Sequence, residues 1–94
     1  MKVKPIIPRV LANRDVDEAI YHYLDQDAAP AALGFIDALE QAYAHIGKHG
    51  ATGSPRYAHE LNLPGLRFWP LTRYPYLVFY IEQVDHIDVW RVLH

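Results

Sequence analysis

Residues 73–94 read RYPYLVFYIEQVDHIDVWRVLH, and no other stretch restricts the fold of this chain as much. Two runs rich in aromatic and β-branched residues, YPYLVFYIE and HIDVWRVLH, flank a polar break at residues 83–85, which is the pattern of two strong strands joined by a tight turn. The rest of the chain has to be arranged around that hairpin.

Upstream, LRFWPL reads as another strand, with Pro70 marking a bulge or an edge because proline donates nothing to a ladder. KVKPIIPRVL near the N-terminus carries Pro5 and Pro8 and is an edge strand at best. Between these lie two helical patterns. Val16, Ala19, Ile20, Tyr23 and Leu24 share one face of the first, with Asn13 or Asp15 expected as its cap. Ala32, Phe35, Ile36, Leu39, Tyr43 and Ile46 line the second, with Pro30 in its first turn and Gly47 or Gly50 expected to end it in a left-handed cap. The short link between them predicts an antiparallel helical hairpin. GKHGATGSPRYAHELNLPG reads as a flexible loop. The order is β-α-α-β-β-β, an α+β fold with the helical hairpin on one face of a small, mostly antiparallel sheet. Residues 1–94 are expected to form a single domain.

Strand alternation divides the rings between two faces. An odd-length turn centred near Val84 sets Ile81 opposite Ile87 and Phe79 opposite Val89, so Leu77, Phe79 and Ile81 are expected under the helices. The open face then carries Tyr76, Val78 and Tyr80 with Asp88, Trp90, Val92 and His94, joined by Arg67 and Trp69. Trp, Tyr and Arg on an open face are the residues that anchor protein interfaces.

Charge narrows the partners. The net formal charge is −2, without the basic surplus of a phosphate-binding protein, so direct DNA binding is not expected. Most arginines, Arg56, Arg67, Arg73 and Arg91, lie in the second half, which leaves room for a local basic patch. The chain has no cysteine, so disulfides and thiolate metal sites are excluded. No apolar run is long enough to span a membrane, and MKVKPIIPRV is too short in its apolar stretch for a signal peptide, so a cytoplasmic protein with no membrane partner is expected.

Of the candidate chemistries, His45 and His49 stand four apart at a helix end, but no HExxH motif accompanies them, and neither metal nor cofactor is expected. GKHGATGS has its lysine before the glycines, the wrong order for a phosphate loop. Ser54 lacks the strand-Ser-helix elbow of a hydrolase. Arg67, Arg73, Arg91 and His94 remain. Metal-free RNA cleavage needs a base, an acid and cations for the phosphate, and Arg and His on adjacent strands supply two of these. The alternative is that the arginines pair with acids such as Asp88 or Glu60, or with a partner's carboxylates.

The segments Arg67 to Pro70, Pro75 to Tyr80 and Arg91 to His94 closely resemble the C-terminal sheet of the RelE/ParE toxins of bacterial toxin–antitoxin pairs. The likeness extends to FIDALEQAYAHI and to SPRY, nearly the whole chain. It implies a β-α-α-β-β-β fold and an antitoxin that wraps the toxin in a hetero-oligomer. RelE-like members cut messenger RNA in the ribosome, and ParE-like members poison DNA gyrase. The chain looks like the ParE branch, because Lys48 is the only lysine of its second half and PRYAHELNLPG replaces a lysine-rich stretch. The resemblance therefore implies a non-catalytic gyrase inhibitor bound by a ParD-like antitoxin, with Arg67, Trp69, Arg73, Tyr76, Tyr80, Trp90 and His94 as contact residues. The alternative is a metal-independent endoribonuclease using Arg67, Arg91 and His94. Family members usually continue past Val-Leu-His with a Gly, an Arg-Asp pair and a short tail, so a truncated end is expected here.

Overall fold

A computed structural model describes residues 2–94. The elements follow in the order β1 (Ile6–Pro8), α1 (Val10–Asp25), α2 (Ala29–Lys48), a 3-10 turn (Gly50–Thr52), β2 (Leu66–Pro70), β3 (Leu77–Glu82) and β4 (Ile87–Leu93). The sheet runs β1-β4-β3-β2, with β1 parallel to β4 and the other pairs antiparallel. This is the β-α-α-β-β-β arrangement the sequence predicts. The two proline-bearing segments form the two edges, where a missing N–H is tolerated.

Helix α1 begins at Val10, directly after Pro8 and Arg9, and the extended Arg9 stands at its N-cap without a side-chain cap bond. The expected caps are therefore wrong: Asn13 N–H already donates to the Arg9 carbonyl at 3.0 Å, and Asp15 lies inside the helix. Ala12 and Ala19 are buried, with Val16, Ile20 and Tyr23 packed on the core. In α2, Pro30 sits in the first turn, and Ala32, Phe35, Leu39 and Ile46 are buried. No left-handed glycine ends α2, because its C-cap is His49 at φ −136°. Gly47 lies within the helix for a different reason. The N-terminal segment crosses there, with Lys4 N–H donating to the Gly47 carbonyl at 2.9 Å, and a Cβ on Gly47 would stand 2.9 Å from the Lys4 carbonyl oxygen.

The core overturns the expected faces of β3. Val78 and Tyr80 are fully buried and Tyr76 nearly so, packed with Phe35, Ala38 and Ile46 of α2 and with Ile87 and Val89 of β4. Leu77, Phe79 and Ile81 alternate with them and remain half-buried on the other side. The cause is a register one residue from the expected one: Glu82, not Ile81, pairs with Ile87, across a four-residue turn closed by Gln83 N–H on the His86 carbonyl at 2.8 Å. A one-residue slip exchanges the faces of the whole strand. The register shifts again between Tyr80 and Phe79, so that Tyr80 pairs with Val89 and Phe79 with Arg91, leaving Trp90 as the extra residue of a bulge. The bulge turns Val92, also expected on the open face, into the core.

Candidate functional site

The expected contact residues separate into three places. Tyr80 is sealed inside. Its hydroxyl donates to the Gly50 carbonyl at 2.6 Å and accepts from Gly53 N–H at 3.0 Å, fixing the turn after α2. Gly53 has no room for a Cβ, which would collide with that hydroxyl. Burial moves the Tyr80 phenol up from its ordinary value, against the Gly53 bond and the nearby Arg67 charge. Arg67 reinforces the same turn, donating to the Gly53 carbonyl at 2.8 Å. The loop expected to be flexible is further tied down where Ser54 and Phe68 exchange backbone bonds of 2.9 and 3.0 Å.

Trp69 and Tyr76 also face the helical layer. Trp69 is partly buried and stacks on His45 of α2, with centroids 4.1 Å apart and planes 18° apart. Thr52 donates its hydroxyl to the His49 carbonyl at 2.8 Å, so its 3.0 Å contact with His45 Nε2 makes that nitrogen the donor. His45 and His49 have centroids 5.4 Å apart. Among the described residues no three His, Cys, Asp or Glu side chains converge as a metal site requires. Tyr76 meets Phe35 edge-on at 5.1 Å and His94 at 5.2 Å. Arg73 stands exposed in the β2–β3 turn at φ +69°, beside a cavity of about 390 Å³ lined by Gly34, Asp37 and Gln41 of α2.

A second place is the cleft between α1 and the end of β4, about 440 Å³, where Asp15, Glu18, His22, Tyr76, Arg91 and His94 come together. Arg91 makes a bidentate pair with Asp15, Nε–Oδ2 2.7 Å and Nη2–Oδ1 2.8 Å. Val92 N–H donates to the same carboxylate at 3.0 Å, so Asp15 takes the position of a strand neighbour beyond the end of β1. Burial pushes the Asp15 carboxyl up, but the bonds from Arg91 and Val92 outweigh it and hold the group below its ordinary range. The structure thus brings Arg91 and His94 together, whereas Arg67 sits on β2 with β3 between them.

The third place is the outer face of the sheet, where Trp90 alone of the expected rings lies. Arg9 stacks over its indole at 4.0 Å and holds Asp88 bidentately at 3.0 and 2.9 Å, while Trp90 Nε1–H donates to Asp88 at 3.1 Å. Arg9, ahead of burial, holds the Asp88 carboxyl below its ordinary range. Beside them Tyr57, Phe68 and Phe79 form a ring cluster with centroids 5.6 to 6.1 Å apart. Sequence reasoning missed Arg9, Asp15, Tyr57, Phe68 and Phe79 as site residues. Only Phe68 and Phe79 carried a signal, since their alternation marks a face once the register is known.

These features define a small α+β protein in which a helical hairpin covers one side of a mixed four-stranded sheet and ring-bearing strands form the other. A solved structure described as the chromosomal ParDE TA system from P. aeruginosa shares this fold, with a TM-score of 0.78 at 18% identity over 98% of this chain and 96% of that one. No curated protein matches. The family model described as the ParE toxin of the type II toxin–antitoxin system parDE matches residues 6–94, and the chain belongs to that family.

Proposed function

We propose that this chain, acting as one toxin domain over residues 1–94, inhibits DNA gyrase by binding it, and that a ParD-like antitoxin neutralises it in the cytoplasm, where gyrase acts. Membership of a toxin–antitoxin family supplies the antitoxin half of this reading. The observation that carries the non-catalytic half is what the arginines do. Arg67 is bound to the Gly53 carbonyl and Arg91 to Asp15. A cation held by an internal acceptor has to break that bond before it can meet a phosphate in a transition state. Neutralising contacts fall to residues that reach the surface, Arg73, Trp90 and His94, because Tyr76 and Tyr80 are covered by the helices.

The second reading, a ribosome-dependent endoribonuclease, has one observation in its favour: Arg91 and His94 line a single cleft with His22 and Glu18. Against it, the Glu18 carboxylate in that cleft repels a phosphodiester, and Asp15 already occupies Arg91.

A supercoiling assay separates the two. The purified chain is expected to abolish gyrase supercoiling, to leave messenger RNA intact in a translating extract, and to lose its effect on adding antitoxin. Transcripts cut in that extract, with cutting abolished by Arg91→Ala and His94→Ala and supercoiling intact, would replace the first reading with the second.

A further inference from the structure

Four of the described residues adopt a left-handed backbone: Asp27 at φ +55°, Asn62 at +53°, Gly65 at +86° and Arg73 at +69°. Three of them are residues that this conformation favours. Glycine has no Cβ to clash, and the short polar side chains of Asp and Asn are tolerated there. Arg73 is the exception, because an arginine carries the steric cost with no local gain. The turn around it is fixed on both flanks. Leu71 N–H donates to the Tyr76 carbonyl at 3.0 Å, and Tyr76 N–H to the Tyr74 carbonyl at 2.8 Å. The Tyr74 hydroxyl donates to the Ala31 carbonyl of α2 at 2.8 Å, and its ring meets those of Tyr23 and Phe35 edge-on at 5.6 and 5.9 Å. The left-handed residue therefore stands at an anchored tip.

The fold makes no use of the side chain kept at this cost. Arg73 is exposed, and among the described residues no ion pair holds its guanidinium. The other arginines outside the helices are engaged: Arg9 with Asp88, Arg67 with the Gly53 carbonyl, Arg91 with Asp15, and Arg56 over the Tyr57 ring. Arg14 lies on α1, where a straight-chain residue suits the helix. For Arg73, backbone preference and internal contact both fail to account for the residue. A position that glycine or asparagine would fill with less strain keeps a guanidinium because something outside the chain meets it. The surroundings limit what that is. Of the eleven acidic residues, seven lie in the helical segment between residues 10 and 48, with only two of the nine basic ones, so the tip belongs to the basic part of the chain and faces an acidic layer. Asp37 of α2 lines the cavity beside it. A nucleic-acid backbone laid along the tip would meet that carboxylate as well, whereas a single carboxylate fits the guanidinium fork bidentately.

We propose that Arg73, at the tip of the β2–β3 turn, is the residue by which this chain grips its target, its guanidinium taking a carboxylate on the surface of the gyrase protein. The strained backbone is the stability given up to present that side chain from a fixed turn, so little freedom is lost when the contact forms. This rests on the gyrase reading above and gives it a residue and a chemistry. Antitoxin contact at the same residue is then occlusion of the target contact.

The test uses Arg73→Gly and Arg73→Asn, two variants whose residues suit the left-handed turn and remove the guanidinium. Each is read in three ways: the concentration that half-inhibits gyrase supercoiling, binding of the labelled chain to purified gyrase with and without DNA, and the urea midpoint. Both variants are expected to need about tenfold more protein for inhibition, to bind DNA-free gyrase correspondingly less, and to unfold at a midpoint no lower than the wild type. Asn62→Gly, the same exchange at another left-handed position, leaves inhibition unchanged. Wild-type potency in both Arg73 variants would overturn the proposed contact while leaving the gyrase reading standing. A lowered midpoint in both would show that the side chain serves the fold, and would overturn it too. Weakened binding seen only when DNA is present would assign the guanidinium to a phosphate instead. A wild-type chain that leaves supercoiling intact would overturn the gyrase reading itself.

Discussion

Tyr80 and Tyr43 are both phenols on the helical side of the sheet, and they differ in what their hydroxyls meet. Tyr80 gives and accepts one hydrogen bond, both to the backbone of the turn at residues 50–53. Tyr80→Phe keeps the ring and strands both partners, and a loss of about 1–3 kcal/mol in urea unfolding is expected. Tyr43 has a buried hydroxyl without a hydrogen-bond partner among the described residues, and burial pushes its pKa up to about 12. A folded pKa above the unfolded one favours the protonated native state. Its contribution is full below the unfolded value of about 10 and is lost as pH rises through the folded value, a change of up to about 3 kcal/mol. Tyr43→Phe is therefore expected to raise stability at neutral pH by up to about 1 kcal/mol and to shrink the alkaline loss, as read from unfolding curves between neutral and alkaline pH. Neither phenol's environment was legible in the sequence. The partners of Tyr80 stand 27 and 30 residues away, and alternation alone cannot tell a buried tyrosine with such partners from one that faces a ligand.

At the scale of elements, order and type were legible and facing was not. Proline positions, helical periodicity and the hairpin pattern gave the β-α-α-β-β-β sequence, because each is set by local chemistry. Which side of β3 the helices took depends on a turn one residue longer than expected and on the bulge at Trp90, and both rows of β3 are apolar enough to be core. Arg67 and Trp69 share the face of Tyr80 and Val78 as expected, and the side of the sheet that face takes was inverted. Asp15 shows how elements are joined. As a helix cap it would be replaceable by serine, but as the acceptor for Arg91 and Val92 N–H it ties α1 to β4. Asp15→Ala is expected to lower stability by about 1–2 kcal/mol and Asp15→Asn by less, since an amide oxygen still accepts from Val92. The folded carboxyl titrates below its ordinary range. Its contribution is present above the unfolded value of about 4 and is lost as pH falls through the depressed one. Unfolding curves at acid pH should converge for the wild type and Asp15→Ala, and a gap that does not shrink down to the most acid pH at which both still fold would deny the carboxylate this role.

The whole molecule is two layers of opposite charge character, and the family resemblance read from nearly the whole sequence agrees with the family and fold found for the chain. The ring-rich surface was expected from the sequence, and its composition was not: the buried Tyr76 and Tyr80 give way to Phe68, Phe79 and Tyr57. The central claim is that the chain acts by holding another protein, with Arg67 and Arg91 serving its own fold. The most direct measurement titrates the labelled wild-type chain against purified gyrase and, in parallel, against translating ribosomes. Saturable binding to gyrase with no association to ribosomes is the result predicted. Binding to ribosomes alone, accompanied by cut messages, would contradict it.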